Sequence, residues 1–281
     1  MRVIETISDL KALIRSQKKA GKTIGFIPTM GYLHEGHLSL VKVSRQHNDI
    51  TIMSIFVNPT QFGPNEDFDK YPRDMESDFY KAESAGVDII FAPGVSEIYP
   101  EGYRTYVNVE GITEVLCGKS RPGHFRGVTT IVNKLFNLVE PDRAYFGQKD
   151  AQQVAVIRKM VRDLNMNLEI VTCPIVRESD GLAMSSRNVY LSEDDRKSAV
   201  ILSKSLFGAE ELVRDGERKK DNVVKFIKSM IETENRAQID YVEVINADTL
   251  EEIEILDGRV LIALAVKFGS TRLIDNVVLE V

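Results

Sequence analysis

The feature that most constrains the fold is the alternation of strand-like and helix-like segments over the first two-thirds of the chain. Apolar runs at residues 23–30, 50–57 and 87–91 have the length and β-branched content of buried strands. Further strands are predicted at 144–146 and 168–173. Segments with helical spacing, at 74–85, at 128–139 and after 151, lie between the strands along the chain. Buried strands joined by helical crossovers form parallel sheets covered on both faces. The pattern predicts an α/β fold with a Rossmann-like, doubly wound parallel sheet.

The pattern changes after about residue 176. Helical stretches at 192–215 and 220–235 are followed by strands at 239–245, 259–266 and 272–281. Successive helices followed by strands with short polar connections are typical of a small α+β domain with an antiparallel sheet. We therefore expect a Rossmann-like domain at 1–176 and a smaller α+β domain at 177–281 that closes over an active site.

Composition excludes several classes of protein. The chain of 281 residues is 43% hydrophobic and carries a formal charge of −6, so it is neither disordered nor suited to bind nucleic acid broadly. The acidic excess lies within 177–281, whereas 1–176 is balanced and its cleft is expected to be locally positive through Lys149, Arg121 and Arg126. Two distant cysteines, no signal-like apolar segment and no long apolar run predict a cytoplasmic protein without a membrane partner.

A loop with two histidines follows the first strand, in the order Met30, Gly31, Tyr32, Leu33, His34, Glu35, Gly36 and His37. Open parallel sheets bind ligands at this edge, where the next helix offers free N–H groups to phosphate. The two imidazoles could instead be solvated or hold the turn. A metal pair is a further alternative, but no third ligand is evident and we expect no protein-bound metal. Agreement of strand, glycines and helix favours phosphate contact.

A second polar turn, Gly147, Gln148, Lys149 and Asp150, lies between a predicted strand and the next helix. The lysine supplies a positive charge for phosphate. Asp150 and Gln153 also fit a capping box, and spacing alone slightly favours that structural role over substrate contact. Two other segments end in the same region, namely Asn58–Gln61 after the second strand and the junction residues Met184, Ser185, Ser186, Arg187 and Asn188. The hydroxyls and guanidinium of the junction suit an anion clamp.

Together these motifs resemble the pantothenate synthetase (pantoate–β-alanine ligase) family over essentially the whole chain. The histidine loop alone would indicate only the wider nucleotidyl-transferase superfamily. The Gln61 segment and the loop of residues 121–127 narrow the resemblance to this one family. It implies an ATP-dependent ligase that forms pantoyl adenylate and pyrophosphate, and then pantothenate and AMP after attack by β-alanine. It also implies Mg²⁺ held mainly by the ATP phosphates and a homodimer.

The resemblance also implies roles for individual residues. His34 and His37 contact the ATP phosphates and act in catalysis with Lys149. Gln61 and Gln153 hold pantoate, and Gln61 borders the β-alanine site. ATP contacts are implied for Met30, Gly31, Tyr32, Leu33, His34, Glu35, Gly36, His37, Gly147, Gln148, Lys149, Asp150, Val176, Met184, Ser185, Ser186 and Arg187.

Two alternatives remain open from the residues alone. A related enzyme that transfers AMP or CMP to a phosphorylated acceptor would share the histidine loop, but it has no need of the paired glutamines. A regulatory or tRNA-binding module would bind a nucleotide without chemistry, and a tRNA partner would call for a basic face.

Overall fold

The larger sheet contains six parallel strands in a doubly wound order. The computed structural model describes residues 1–64 and 66–281. The strands are β1 (Arg2–Ile4), β2 (Ile24–Thr29), β3 (Ile50–Ile55), β4 (Ile89–Phe91), β5 (Arg143–Gly147) and β6 (Glu169–Cys173). Across the sheet they follow the order β1-β4-β3-β2-β5-β6. The chain builds outward from β2 through β3 and β4 and then returns to place β5 on the other side of β2. The topological switch point, where such sheets bind ligands, therefore lies between β2 and β5.

Helices cover both faces of this sheet. They are α1 (Ile7–Lys19), α2 (Glu35–His47), α3 (Met75–Ala85), α4 (Val95–Ile98), α5 (Leu116–Ser120), α6 (His124–Val139) and α7 (Ala151–Asp163). Neighbouring strand residues point to opposite faces, so Phe26 joins a hydrophobic cluster with α1, α6 and α7. Ile27 joins a second cluster with residues of α2 and α3. Two buried faces explain why the strands are apolar throughout.

The predicted α/β class is confirmed, and the elements from residue 23 to 173 agree in type. Their ends differ by one to a few residues, as for β3, which ends at Ile55. The sequence pattern predicted no element over residues 1–19, where β1 and α1 lie. Strand β1 has only three residues, of which only Ile4 is buried, and it occupies the edge of the sheet. Such a segment carries almost no hydrophobic pattern.

Residues after 176 form a three-stranded antiparallel sheet covered by helices. The strands are β7 (Ala237–Asn246), β8 (Arg259–Phe268) and β9 (Thr271–Glu280), with β8 in the middle. The helices are α8 (Glu193–Ser198), α9 (Ile201–Arg214) and α10 (Lys220–Ile231). They share a separate hydrophobic cluster with the inner faces of the strands. The antiparallel sheet was predicted correctly.

The prediction of one continuous helix over 192–215 was wrong. The amide of Ala199 still bonds to the carbonyl four residues back, but that of Leu202 bonds to Ala199, three residues back. This change from α to 3₁₀ hydrogen bonding separates α8 from α9, and apolar periodicity continues across it. Leu116 of α5 packs with Ile245 and Leu261 of the second sheet, so the two units share an apolar contact. Within residues 1–64 and 66–281, no helix is long and apolar enough to cross a membrane.

Candidate active site

The turn between β2 and α2 is shaped by two residues with positive φ. Gly31 has φ 84° and Tyr32 has φ 51°. A Cβ on Gly31 would stand 2.8 Å from Asp78 Oδ2 and 3.0 Å from Ile55 Cγ2, so the position needs glycine for space as well as for conformation. The change in chain direction at these two residues allows α2 to begin at Glu35, soon after β2 ends at Thr29.

Asp78 of α3 holds this turn from behind. Its carboxylate accepts from the backbone amides of Tyr32 at 2.8 Å and Leu33 at 2.7 Å, while Lys81 Nζ donates to the Leu33 carbonyl at 2.9 Å. The Asp78 side chain is buried, and that burial raises its pKa despite the two amide donors. Nothing in the sequence predicted this role, because Asp78 resembles an ordinary acidic residue in the first turn of a helix.

His34 and His37 face each other at the start of α2. His34 Nδ1 accepts from the amide of Gly36 at 3.1 Å, and His37 Nδ1 accepts from the amide of His34 at 3.3 Å. Because each Nδ1 accepts a backbone N–H, the ring proton of each neutral imidazole resides on Nε2. Their ring centroids are 4.1 Å apart, so the two rings are in contact. The pair presents two Nε2–H donors and no acceptor.

Burial keeps both imidazoles neutral. It lowers the pKa of His34 to about 4, with the positive charge of Lys149 as the next cause. Burial also lowers the pKa of His37 well below its ordinary value, assisted by His34 and Lys149. At neutral pH the free protein therefore places two neutral donors beside the ammonium of Lys149.

Lys149 lies in a 3₁₀ turn, Gln148–Asp150, that connects β5 directly to α7. This turn begins where β5 ends, at the same sheet edge as the histidines. The prediction that Asp150 and Gln153 form a capping box was wrong, because the side chain of Asp150 makes no capping hydrogen bond and is exposed. Gln153 instead lines the cavity beside Lys149.

Gln61 is buried in a 3₁₀ turn, Pro59–Gln61, that follows β3. Its Oε1 accepts from Asn58 Nδ2 at 3.1 Å, and its Nε2 donates to Met30 Sδ at 3.1 Å. Sulfur is a weak acceptor, so the amide N–H₂ keeps donor capacity for a bound carboxylate or hydroxyl. The Asn58 contact fixes which end of the amide faces the cavity.

His124 and Arg121 support the same turn. Arg121 Nη1 lies 3.0 Å from His124 Nε2, and His124 Nδ1 lies 2.8 Å from the Gln61 carbonyl. A guanidinium only donates, so Nε2 accepts and Nδ1 donates its proton to Gln61. Burial lowers the pKa of His124 to about 4, with Arg121 as the next cause. Arg121 also pairs with Glu66 at 2.5 Å, and the pair leaves little net charge in the cleft.

Arg126 lies outside the cleft, contrary to prediction. Its side chain is exposed, and its guanidinium stacks over the Tyr106 ring at 4.0 Å. A positive residue in a glycine-rich loop was assigned to the cleft from charge alone, but the helical turn at the start of α6 directs it away. Lys149 and Arg187 do line the cavity, together with the paired Arg121.

Arg187 closes one side of the site from the junction segment. It pairs with Asp67 through Nε at 2.9 Å and Nη2 at 3.0 Å. Ser186 Oγ donates to the Tyr32 carbonyl at 3.3 Å, which ties the junction to the histidine turn. The junction and the histidine turn, far apart in sequence, are thus adjacent in the fold.

These elements surround one cavity of about 240 Å³ at the switch point. Of the predicted site residues, those that line it are Met30, His34, Gly36, His37, Gln61, Gly147, Lys149, Asp150, Gln153, Val176, Met184, Ser185, Ser186 and Arg187. Those that do not are Gly31, Tyr32, Leu33, Glu35 and Gln148. Leu33 is buried behind the turn, and Glu35 is exposed near Lys42. Small-molecule sites combine an apolar wall with a few placed polar groups, as here.

Similarity to known proteins shows the family of this chain. The family described as Pantoate-beta-alanine ligase matches residues 2–278. A pantothenate synthetase from Acetivibrio thermocellus is 76% identical, with both chains covered fully. The chain belongs to the pantoate–β-alanine ligase family.

Solved structures of the family have the same fold. The crystal structure of pantothenate synthetase from Thermus thermophilus is 45% identical, has a TM-score of 0.94 and covers 99% of each chain. A crystal structure of pantoate-beta-alanine ligase from Francisella tularensis, complexed with beta-gamma ATP and beta-alanine, is 36% identical with a TM-score of 0.79. It covers 99% of this chain and 97% of its own. As a member of this family, the present protein is a ligase.

Sequence reasoning missed the apolar wall of this ligase's cavity. Val128, Ile131, Val132 and Leu135 of α6 line it together with Phe56. Their strict helical spacing indicated a core face, and that same face extends from the core into the cavity. Tyr71, buried beside Arg187, also lines the cavity and gave no signal in the sequence.

Proposed function

We propose that the cavity between β2 and β5 catalyses both half-reactions of an ATP-dependent ligase, and that the residues lining it carry them. Pantoate and ATP first give pantoyl adenylate and pyrophosphate. β-Alanine then gives pantothenate and AMP. The observation that supports this best is the meeting of the two imidazoles, Lys149 and Gln61 around one cavity at the switch point, in a chain of this family.

In the first half-reaction, a pantoate carboxylate oxygen attacks the α-phosphorus of ATP, and the bond to pyrophosphate breaks. Pantoate is already ionised at neutral pH, so this step needs no general base. Negative charge increases on the phosphoryl oxygens, and preorganised donors stabilise it. We assign this to the Nε2–H groups of His34 and His37 and to the ammonium of Lys149. Proton donation by His37 to pyrophosphate is secondary, because the ring is neutral.

ATP is held by segments at both ends of the cavity. The backbone of residues 30–37, at the start of α2, offers N–H groups to phosphate. The turn Gly147–Asp150, the Val176 backbone and the junction residues Met184, Ser185, Ser186 and Arg187 complete the nucleotide site in this proposal. Gly31, Tyr32, Leu33, Glu35 and Gln148 then act through backbone position rather than through side chains. Mg²⁺ enters with ATP as part of the substrate, held mainly by its phosphates.

Pantoate occupies the part of the cavity between the two glutamines and helix α6. Gln61 and Gln153 present neutral donors and acceptors, which suit a hydroxy acid. The apolar wall of α6, including Val128 and Ile131, suits its methyl groups. A rival enzyme with a phosphorylated acceptor would need cations here, and the glutamines supply none.

In the second half-reaction, the free amine of β-alanine attacks the acyl carbon of the adenylate. A carbon–nitrogen bond forms, the carbon–oxygen bond to AMP breaks, and the amine releases its proton. Gln61 borders this site too in our assignment. Its backbone carbonyl is fixed by His124 and its side chain by Asn58, which keeps the acceptor and donor atoms in place.

Three broader assignments complete the proposal. Residues 1–176 form the nucleotide- and pantoate-binding domain, and residues 177–281 form a domain that closes over it; the separate hydrophobic clusters support this division. Two copies assemble through the larger domain, where edge strand β6 presents one unpaired side. The protein acts in the cytoplasm, in keeping with two buried, unbridged cysteines.

The products formed from ATP test the proposal. The protein is incubated with ATP, Mg²⁺ and pantoate, either with labelled pyrophosphate and no β-alanine or with β-alanine, and labelled ATP, the other nucleotides and pantothenate are quantified by chromatography. We expect pantoate-dependent exchange of pyrophosphate into ATP without β-alanine, and stoichiometric AMP and pantothenate with it. ADP as the product, or exchange that does not need pantoate, would contradict the adenylate mechanism.

A further inference from the structure

Asn276, on strand β9 of the smaller unit, bonds to the turn that carries Lys149. Its Nδ2 donates to the backbone carbonyls of Gln148 and Lys149, each at 3.0 Å. Its Oδ1 accepts from Gln148 Nε2 at 3.4 Å. The side chain is buried, with 2% of the residue exposed. Every polar atom of this amide group therefore faces the turn of the other unit.

An amide group suits this position for a chemical reason. Backbone carbonyls only accept hydrogen bonds, and the N–H₂ of asparagine supplies two donors from one atom. Strand β9 is the edge of its sheet and pairs with β8 on one side only, so its other side can reach the larger unit. Breaking such buried bonds leaves polar groups unsatisfied at a cost greater than the net value of the bonds themselves.

The position of Asn276 is fixed by its neighbour. The backbone N–H of Asn276 donates to Asp275 Oδ1 at 2.8 Å. The Arg177 guanidinium donates to both oxygens of the Asp275 carboxylate, at 2.6 and 3.0 Å. Arg177 also donates to the Gly181 carbonyl at 3.1 Å. Asp275 is buried, with 2% of the residue exposed. The start of the junction, strand β9 and the lysine turn are thus linked by a chain of partly buried hydrogen bonds.

We propose that Asn276 is a positioning residue for adenylation, acting through the backbone of Gln148 and Lys149 to hold the Lys149 ammonium against the ATP phosphates. The proposal rests on the role assigned to Lys149 above. A lysine side chain is flexible, so the space its ammonium can reach depends on where its backbone is held. A displacement of 1 Å in a catalytic group can cost about 100-fold in rate.

The test compares single variants of the full-length protein, and one double variant, with the parent. Asn276→Asp keeps the shape of the side chain but replaces the two N–H donors with a carboxylate that faces two carbonyls. Asn276→Ala removes the contacts without adding charge, and it is the variant to measure if the carboxylate prevents folding. Ser120→Ala is the matched control, because Ser120 Oγ donates at 3.0 Å to Asp240 across the same two units through a bond that does not involve the lysine turn. Each is assayed for pantoate-dependent pyrophosphate exchange and for attack of β-alanine on supplied pantoyl adenylate.

We expect Asn276→Ala to slow the maximal exchange rate about 10- to 100-fold while changing the KM for pantoate less than about 3-fold. Attack of β-alanine on supplied adenylate should change less than about 3-fold, and Ser120→Ala should match the parent in both assays. In a Lys149→Ala background, Asn276→Ala should have no further effect on exchange, because its action passes through the lysine.

Three results would overturn the proposal. One is parental exchange by Asn276→Ala, and another is an equal slowing of both half-reactions, which a general loss of structure would produce. The third is an undiminished effect of Asn276→Ala when Lys149 is already alanine. If Lys149→Ala alone leaves exchange intact, the assignment of Lys149 fails first; if it slows exchange and Asn276→Ala does not, only the present inference fails.

Discussion

Gly127 of α6 packs against the backbone of the turn that holds Gln61, and its replacement by alanine should move that turn. A Cβ at this position would stand 2.3 Å from the Thr60 carbonyl oxygen and 2.6 Å from Gln61 Cα. Ordinary contacts of this kind are 3.4–4 Å, so the turn must retreat by about 1 Å. The opposing atoms are backbone, and no side-chain rotation can relieve the contact.

The expected cost follows from two opposing effects. Overpacking a core position costs about 1–3 kcal/mol, and a backbone obstacle places Gly127→Ala at the upper end. Alanine regains about 1 kcal/mol of helix propensity relative to glycine, which leaves a net loss of about 2 kcal/mol. For a unit of this size, that lowers the melting temperature by roughly 4–8 °C. Displacement of Gln61 should weaken its bonds to pantoate by about 1.4 kcal/mol, or 10-fold in KM.

The assay is AMP formation at saturating ATP and β-alanine with pantoate varied, together with thermal melting of the free protein. Gly94→Ala is the control, because that glycine has an ordinary φ of −72° and an added Cβ meets nothing within 4 Å. In Gln61→Ala, the further change Gly127→Ala should leave the KM for pantoate unaltered. A Gly127→Ala protein with parental melting and parental pantoate KM, or one in which only the KM for ATP rises, would refute this reasoning.

Three further outcomes are expected. Lys149→Ala should slow pantoate-dependent pyrophosphate exchange about 100- to 1,000-fold without lowering the melting temperature, and near-normal exchange would contradict its assignment. Burial lowers the pKa of His34 and of His124 to about 4 and that of His37 in the same direction, so below pH 6.5 the unfolded chain binds protons that the folded protein does not. Urea unfolding should therefore show stability decreasing from about pH 7 to about pH 5, less steeply in His124→Asn; equal slopes would contradict this. Asp78→Asn should lose one of two amide bonds at the histidine turn, cost about 1–3 kcal/mol in thermal unfolding and raise the KM for ATP, whereas unchanged values of both would exclude a positioning role.

The sequence could predict the central part of the fold because its signals are local. Apolar runs at β2, β3 and β5 each precede a polar turn, and parallel strands bring the ends of those turns to one edge. The apolar periodicity therefore already predicts that the histidine turn and the lysine turn lie at the same edge of the sheet. The order of strands, and with it the switch point, needed the structure to be established.

Contacts between distant segments could not be predicted in this way. Asp78 and Asn276 lie on regular elements, and nothing in their local sequence distinguishes them from other polar residues. Their roles depend on which backbone atoms of another segment come within hydrogen-bonding distance. For Arg126 a role was predicted where the structure shows none. Its charge suggested a position in the cleft, whereas the direction of its helical turn places its guanidinium over the Tyr106 ring.

Asn276 lies close to the end of the chain, far in sequence from the lysine turn to which it bonds. The six strands of the larger sheet, and the buried residues of the two hydrophobic clusters on its faces, all lie within the first 173 residues, so this unit can begin to fold while the rest of the chain is still being made. Strand β9 is translated much later, and only then does the turn of Lys149 receive its two donors from Asn276. A nascent chain can thus complete the sheet that carries the histidine and lysine turns before it adds the junction residues 184–187, which also line the cavity, and before Asn276 can bond to the lysine turn.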